Sequence, residues 1–435
     1  MSQRSLADWL AYLEQLHPSA IDMGLERSRQ VAQRMGLVKL APLTITVTGT
    51  NGKGSTCAFI ASLLEQQGLS VGVYSSPHLL RYNERVQICG EQASDELLCE
   101  AFAAVEAARG DTSLTYFEMG TLAAFWLFKR QQLDAVVLEV GLGGRLDAVN
   151  LIDADIALVT SIGVDHVDWL GDSRESVSIE KAGIYRAGKP ALCGDLDPPQ
   201  PLLDCAAELE APLFLRGRDY DLVVSEHTWA WRGIDAQGAA LELIDQPLLD
   251  LPVENAALAL QAYALTGLAW QPAQIKNALL GTRVTGRLDR RQLVWQGKPL
   301  TLLLDVGHNP HAAEYLARRL AMKPVAGKRS AVFALLADKD LAGVVTPLIP
   351  HIAHWAVAPL PTSRTRPAAE LARYLTDCAA QVAVFDDVRC ALDAQCTKAS
   401  AGDEILLFGS FYCVAEALEW LAGHATGVGQ DGFAG

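Results

Sequence analysis

The chain has 435 residues, a formal net charge of −15, 50% hydrophobic residues and 20% charged residues. That composition excludes a disordered chain, and at ~100–200 residues per domain the length implies two or three domains. The negative charge disfavours nucleic acid or an anionic membrane as partner, since both are bound through Lys and Arg, yet it leaves room for a small anionic ligand at a local cationic site.

The nine cysteines show no C-x-x-C pair and no metal-type Cys/His spacing. Cys57, Cys89 and Cys193 sit in apolar or small-residue runs, which reads as reduced, mostly buried thiols. The odd count and the lack of a leader-like segment predict a cytoplasmic location. No apolar run reaches the ~18 residues of a membrane span.

Leu6, Trp9, Leu10, Leu13 and Leu16 recur at helical spacing, so an amphipathic helix opens the chain and ends at His17-Pro18. A second helix starts near Ile21 and ends near Gly36. The β-branched run from Thr44 to Thr48 predicts a strand; a helix runs from Ser55 to about Gln67, capped by Gly68. A strand at Ser70–Tyr74 follows, then helices at Asp95–Arg109 and Phe117–Arg130. Apolar runs at Ala135–Val140, Ile156–Ser161 and Pro190–Cys193 read as buried strands of a parallel sheet covered on both faces. Residues 220–250, with Trp229 and Trp231, read as a small sheet insertion, and 255–280 as helical. The turn-rich segment 281–287 is the expected linker. Beyond it strands are expected at Thr301–Asp305, Ala331–Leu336, His354–Ala358, Val382–Phe385 and Ile405–Gly409, alternating with helices. The tail after Leu421 is glycine-rich and expected to fray. The fold class is therefore α/β. A P-loop-type parallel-sheet domain with a small β insertion, residues 1–285, precedes a second Rossmann-like α/β domain, residues 286–435.

Between the first strand and its helix lie Gly49, Thr50, Asn51, Gly52, Lys53, Gly54, Ser55 and Thr56. Glycines let backbone N–H groups wrap a phosphate, and the helix dipole adds positive potential there. Lys53 has the reach for terminal phosphates and a Ser55 or Thr56 hydroxyl suits Mg²⁺. The spacing is G-x-x-G-K-G-[ST] rather than G-x-x-x-x-G-K-[ST]; the bland alternative is a tight turn with an exposed lysine. In open α/β sheets ligands bind beyond the carboxyl ends of strands, where Ser76, Glu139, Asp165 and His166 also fall. Taken singly, Glu139 reads equally as a surface carboxylate, His166 as a turn cap and Ser76 as a turn residue before proline. Lys181 reads as a solvated helix residue, or, if buried, as an amine able to become a carbamate and an anionic metal ligand.

Eight motifs occur in order: GTNGKGS (Gly49–Ser55), YSSPHL (Tyr74–Leu79), TYFE (Thr115–Glu118), LEVGLGGRLDA (Leu138–Ala148), TSIGVDHVDWLG (Thr160–Gly171), EKAGI (Glu180–Ile184), GR (Gly286–Arg287) and DVGHNPHA (Asp305–Ala312). With these the chain resembles bacterial folylpolyglutamate synthase/dihydrofolate synthase of the Mur ligase superfamily, over nearly its whole length. The resemblance implies ATP-driven formation of an acyl phosphate on a pterin substrate, attacked by the amine of L-glutamate. The substrates would be dihydropteroate and tetrahydrofolate. It implies ATP held by the loop with Lys53 and Ser55, Mg²⁺ held by Ser76, Glu139 and His166, and a second ion held with carbamylated Lys181. It further implies nucleotide contacts from Asn255 and Arg287, cleft chemistry from Asp305 and His308, and a pteridine pocket of Thr115, Phe117, Asp147 and Ala148. The two domains would close over the intermediate, His308 is a candidate for holding glutamate, and the enzyme would be a monomer.

The chain departs from the family pattern in two places. Asp305-Val306-Gly307-His308 stands where many relatives read D-G-A-H, and the usual H-N-x-x-N appears only as Val253-Glu254-Asn255. Alternatives are a single-activity folylpolyglutamate synthase, a cell-wall amino-acid ligase, a P-loop phosphotransferase or NTPase, and a dehydrogenase built on Gly141-Leu142-Gly143-Gly144. The last lacks G-x-G-x-x-G spacing.

Overall fold

The computed structural model describes residues 4–19, 21–424 and 429–430. The chain divides into two compact units, Met1–Arg283 and Val284–Gly435.

The first unit is built on eight strands: β1 (Leu43–Thr48), β2 (Val71–Tyr74), β3 (Val86–Ile88), β4 (Glu91–Gln92), β5 (Ala135–Glu139), β6 (Ile156–Val159), β7 (Ala191–Cys193) and β8 (Leu213–Leu215). Their order is β4-β3-β2-β5-β1-β6-β7-β8. Six of them run parallel, and β3 and β4 extend the edge as antiparallel strands, so the sheet is mixed rather than purely parallel. β1, β2, β5, β6 and β7 are buried almost throughout, as expected where helices cover both faces. Helix Tyr116–Gln131 is likewise apolar on nearly every side. Ten of its residues are buried, which explains the absence of an amphipathic stripe. The opening helix Leu6–Leu13 does have a stripe: Leu6, Trp9 and Leu13 are buried, and Ser5 with Asp8 forms a capping box at its start. β9 (Asp221–Val224), β10 (Thr228–Ile234) and β11 (Ala240–Pro247) form the small antiparallel sheet, with Trp229 and Trp231 buried. The stretch expected to be one helix from 255 to 280 is two, Val253–Ala264 and Pro272–Gly281, since Gly267 and Pro272 interrupt it.

The second unit carries β12 (Asp289–Trp295), β13 (Lys298–Asp305), β14 (Arg329–Phe333), β15 (His354–Val357), β16 (Val382–Val384), β17 (Glu404–Phe408) and β18 (Gly429–Gln430) in the order β16-β15-β14-β17-β13-β12-β18. The five strands from β16 to β13 in that order are parallel; β12 forms an antiparallel hairpin with β13 and has no counterpart in the sequence-based expectation. Leu303, Leu316, Phe333, Trp355, Leu406 and Phe408 form its core. Helix Phe411–Gly423 runs past Leu421, and Gly429–Gln430 pair with β12; the remainder of the tail expected to fray lies outside the described residues.

The nine cysteines are unpaired thiols, but only Cys57, Cys193, Cys396 and Cys413 are buried, while Cys89 and Cys390 are exposed. The expectation of mostly buried thiols fails at Cys89 because it sits in the β3–β4 turn, an edge hairpin. Among the described residues no helix is long and apolar enough to cross a membrane.

Candidate active site

In the first unit the strand–turn–helix lies where the sequence places it, with the helix starting two residues earlier, at Lys53. Glycine is required twice in the loop. A Cβ on Gly49 would meet Thr160 Oγ1 at 1.8 Å, and one on Gly52 (φ 89°) would meet Asn255 Oδ1 at 2.5 Å. The segment after β6 pins the loop: Thr160 Oγ1 donates to the Asn51 carbonyl at 2.6 Å, Ser161 Oγ donates to the same oxygen at 3.1 Å, and Thr50 Oγ1 donates to the Gly163 carbonyl at 2.9 Å. Lys53 Nζ donates to the carbonyls of Gly49 (2.9 Å) and Thr50 (3.4 Å), so its charge lies over the loop. The helix has no acidic residue in its first turn to cancel the dipole. Ser55 and Thr56 are buried, and among the described residues Thr56 Oγ1 has no hydrogen-bond partner.

β5 ends on Glu139 beside Val47 of β1. A Cβ on Gly54 would stand 3.6 and 3.7 Å from the two Glu139 carboxylate oxygens, and the Ser76 backbone N–H donates to one of those oxygens at 3.2 Å. Ser76, Glu139 and the phosphate loop are thus one site. His166 takes a left-handed conformation (φ 53°) at the start of the short helix Val167–Leu170, exposed, and its side chain makes no cap bond. Lys181 is buried in helix Arg174–Ala182. Burial, then the Lys53 charge, pushes its amine down to about 7, with Asp165 opposing. Among the described residues no group of three or more His, Cys, Asp or Glu side chains is arranged to hold a metal alone. An ion here needs hydroxyl or phosphate oxygens as well, which suits Mg²⁺.

Thr115 caps helix Tyr116–Gln131 in a capping box with Glu118, and Glu118 also accepts from Arg27 (3.1 Å) and Ser28 (2.8 Å). Phe117 and Asp147 flank Gly141: a Cβ there would lie 2.6 Å from the Phe117 ring and 3.3 Å from Asp147 Oδ2. Asp147 accepts from the backbone N–H groups of Leu142 and Val149, both at 2.9 Å. Burial raises its carboxyl to about 6 against those hydrogen bonds. Ala148 opens the 3₁₀ turn that follows. The glycine run 141–144 serves packing, with Thr48 Oγ1 donating to the Gly143 carbonyl at 2.5 Å and Gly144 against the Glu180 carbonyl. It leads into a 3₁₀ turn rather than a long helix, which removes the support for a dinucleotide loop.

In the second unit Asp305 ends β13, accepts from Leu288 N (3.0 Å) and Gly307 N (2.8 Å), and has its carboxyl raised by burial against the Arg287 charge. His308 Nδ1 lies 2.8 Å from the Val306 carbonyl, which makes it the protonated nitrogen. Asn309 caps helix Pro310–Met322. The Arg287 guanidinium stands 5.6 Å from the Phe411 ring centre, and the His308 ring 6.1 Å from it.

Two family models match in the order of these units: the Mur ligase middle domain over residues 47–191 and the Mur ligase glutamate ligase domain over 286–411. The dihydrofolate synthase/folylpolyglutamate synthase of Escherichia coli is 46% identical over 97% of each chain. The chain belongs to the bifunctional dihydrofolate synthase/folylpolyglutamate synthase family of Mur ligases. An E. coli family member solved with DHPP and ADP superposes with a TM-score of 0.89 at 46% identity, covering 97% of this chain and 98% of that one. A bifunctional folylpolyglutamate synthase/dihydrofolate synthase solved with Mn, AMPPNP and L-glutamate superposes at 0.87 with 45% identity, covering 96% and 98%.

For a bifunctional synthase of this family, sequence reasoning missed Phe411, which the structure sets between Arg287 and His308. Its signal was available: it stands just past the carboxyl end of β17. Glu84 and Arg85 were missed as well, because the antiparallel β2–β3 pairing is what brings them beside Ser75.

Proposed function

We propose the following division of labour in an ATP-dependent ligase that joins L-glutamate to dihydropteroate, forming dihydrofolate, and adds further glutamates to tetrahydrofolates. The observation that carries it is the meeting of the phosphate loop with Ser76 and Glu139. The loop amides and Lys53 hold the ATP phosphates, with Ser55 and Thr56 at the helix start and Asn255 packed on Gly52. Thr115, Phe117, Asp147 and Ala148 hold the pterin, which leaves its carboxylate to attack the γ-phosphorus; the bond to ADP breaks and an acyl phosphate forms. The neutral amine of glutamate then attacks the acyl carbon, phosphate leaves, and the ammonium proton of the adduct is lost. The Arg287 guanidinium, as a cation, and the His308 imidazole, as a hydrogen-bonding group, are the side chains of the second unit suited to glutamate carboxylates or nucleotide phosphates, with Asp305 accepting from the backbone of the segments that carry them.

Ser76, Glu139 and His166 are the residues that would hold Mg²⁺, and Lys181, if carbamylated, would supply oxygens for a second ion. Mg²⁺ would neutralise charge on the phosphates during transfer. A buried amine beside another lysine is costly as an ammonium and well suited to carbamylation. A cytoplasmic monomer completes the reading, supported by the unpaired cysteines for location and by the family resemblance for the monomer; the acidic composition supports small molecules rather than nucleic acid as partners.

The test is phosphate release from ATP with L-glutamate and dihydropteroate, tetrahydrofolate or no pterin. Turnover with both pterins is expected. Turnover with one alone would reduce the reading to a single-activity synthase, and pterin-independent turnover would move it to an NTPase.

A further inference from the structure

Arg85 is a cation that, among the described residues, is held by His78, Tyr82 and Tyr116 rather than by an ion pair. It opens the edge hairpin: Ser75 N donates to the Arg85 carbonyl at 2.9 Å, and Tyr74 pairs with Val86 in antiparallel register. Opposed residues in such a pair lie ~5 Å apart, so Arg85 is next to the Ser75-Ser76 turn that meets Glu139. Its Nε donates to His78 Nδ1 at 2.8 Å. Its guanidinium carbon lies 5.5 Å from the Tyr82 ring centre and 5.7 Å from that of Tyr116. Tyr116 stands between Thr115 and Phe117, which the reading above assigns to the pterin. Arg85 therefore lies between those residues and the phosphate site.

Carboxylates near it are committed elsewhere. Glu84 accepts from the backbone N–H groups of Leu79, Leu80 and Arg81 at 2.7, 2.8 and 2.8 Å, and Asp95 pairs with Arg81 and Asn83 at 2.8 Å each. Among the described residues Arg85 has no ion-pair partner. Two aromatic rings and an imidazole fix the guanidinium plane, which reduces the entropy lost when a carboxylate binds the remaining N–H groups.

The two acceptors differ at this point. Dihydropteroate presents one carboxylate, the reacting one, attached to its aromatic ring. A tetrahydrofolate presents a reacting γ-carboxylate and, within the same glutamate, an α-carboxylate that does not react. We propose that Arg85 receives that α-carboxylate and so sets the balance between the two activities. This rests on the functional reading above.

The test compares wild type, Arg85→Gln and Arg85→Lys in the full chain, with kcat and KM for dihydropteroate and for monoglutamyl tetrahydrofolate. In Arg85→Gln the ratio of kcat/KM for tetrahydrofolate to that for dihydropteroate should fall by about tenfold or more, the size of a lost charge-assisted hydrogen bond, mostly through KM. Arg85→Lys should fall between. A merely structural arginine would lower both acceptors alike, and that result, or an unchanged ratio, would overturn the proposal. Wild type using only one acceptor would overturn the functional reading itself, and the specificity role with it.

Discussion

Burial shifts both Asp147 and Lys181 toward their neutral forms, and each makes the chemistry pH-sensitive. The Asp147 carboxyl stands at about 6 against an ordinary 3.8, so between those values the folded chain binds more protons than the unfolded one. Stability from this group therefore falls as pH rises from about 4 to about 6. Asp147→Asn should flatten the slope of the melting temperature across that window; equal slopes in wild type and variant would exclude the shift. The Lys181 amine at about 7 is substantially neutral at physiological pH, as attack on CO₂ requires. Lys181→Ala should lose most ligation and regain part of it with added acetate. Full activity in the variant would end the carbamate role. The titrating residue types were legible in the motifs, but their burial was not, because it depends on chain segments remote in sequence.

The strand–loop–helix at Thr44–Glu65 works because its loop has no side chains where neighbours press in. Gly52 combines a positive φ with Asn255 packed against it. Gly52→Ala should destabilise the chain by about 1–3 kcal/mol and weaken ATP binding, read by urea unfolding and nucleotide titration. Adding Asn255→Gly should recover the steric part and leave the conformational part. If the double variant recovered nothing, the contact with Asn255 would not be the cause. This element was legible because strand, turn and helix start are adjacent in sequence. β3, β4 and β12 were not: each is a short or polar strand whose pairing partner, rather than its own pattern, makes it a strand.

Each unit has its own core. One joins Trp9, Phe102, Phe125 and Phe128 in the first unit, and the other joins Phe333, Trp355 and Phe408 in the second. Residues 284–435 expressed alone should therefore melt cooperatively. A broad, non-cooperative transition would mean that the second core depends on the first unit.

The sequence by itself determined the α/β class, the phosphate loop, the positions of polar residues at strand ends and the family, since these depend on local order along the chain. Tertiary structure decided which of those residues meet. It brought Ser76 to Glu139 across the β2–β5 neighbours, Asn255 to Gly52 across two hundred positions of chain, and Phe117 to Asp147 around Gly141. It also set Phe411 between Arg287 and His308, and Arg85 beside the serine turn. Such contacts follow from strand register and close packing of distant segments, which no local pattern encodes.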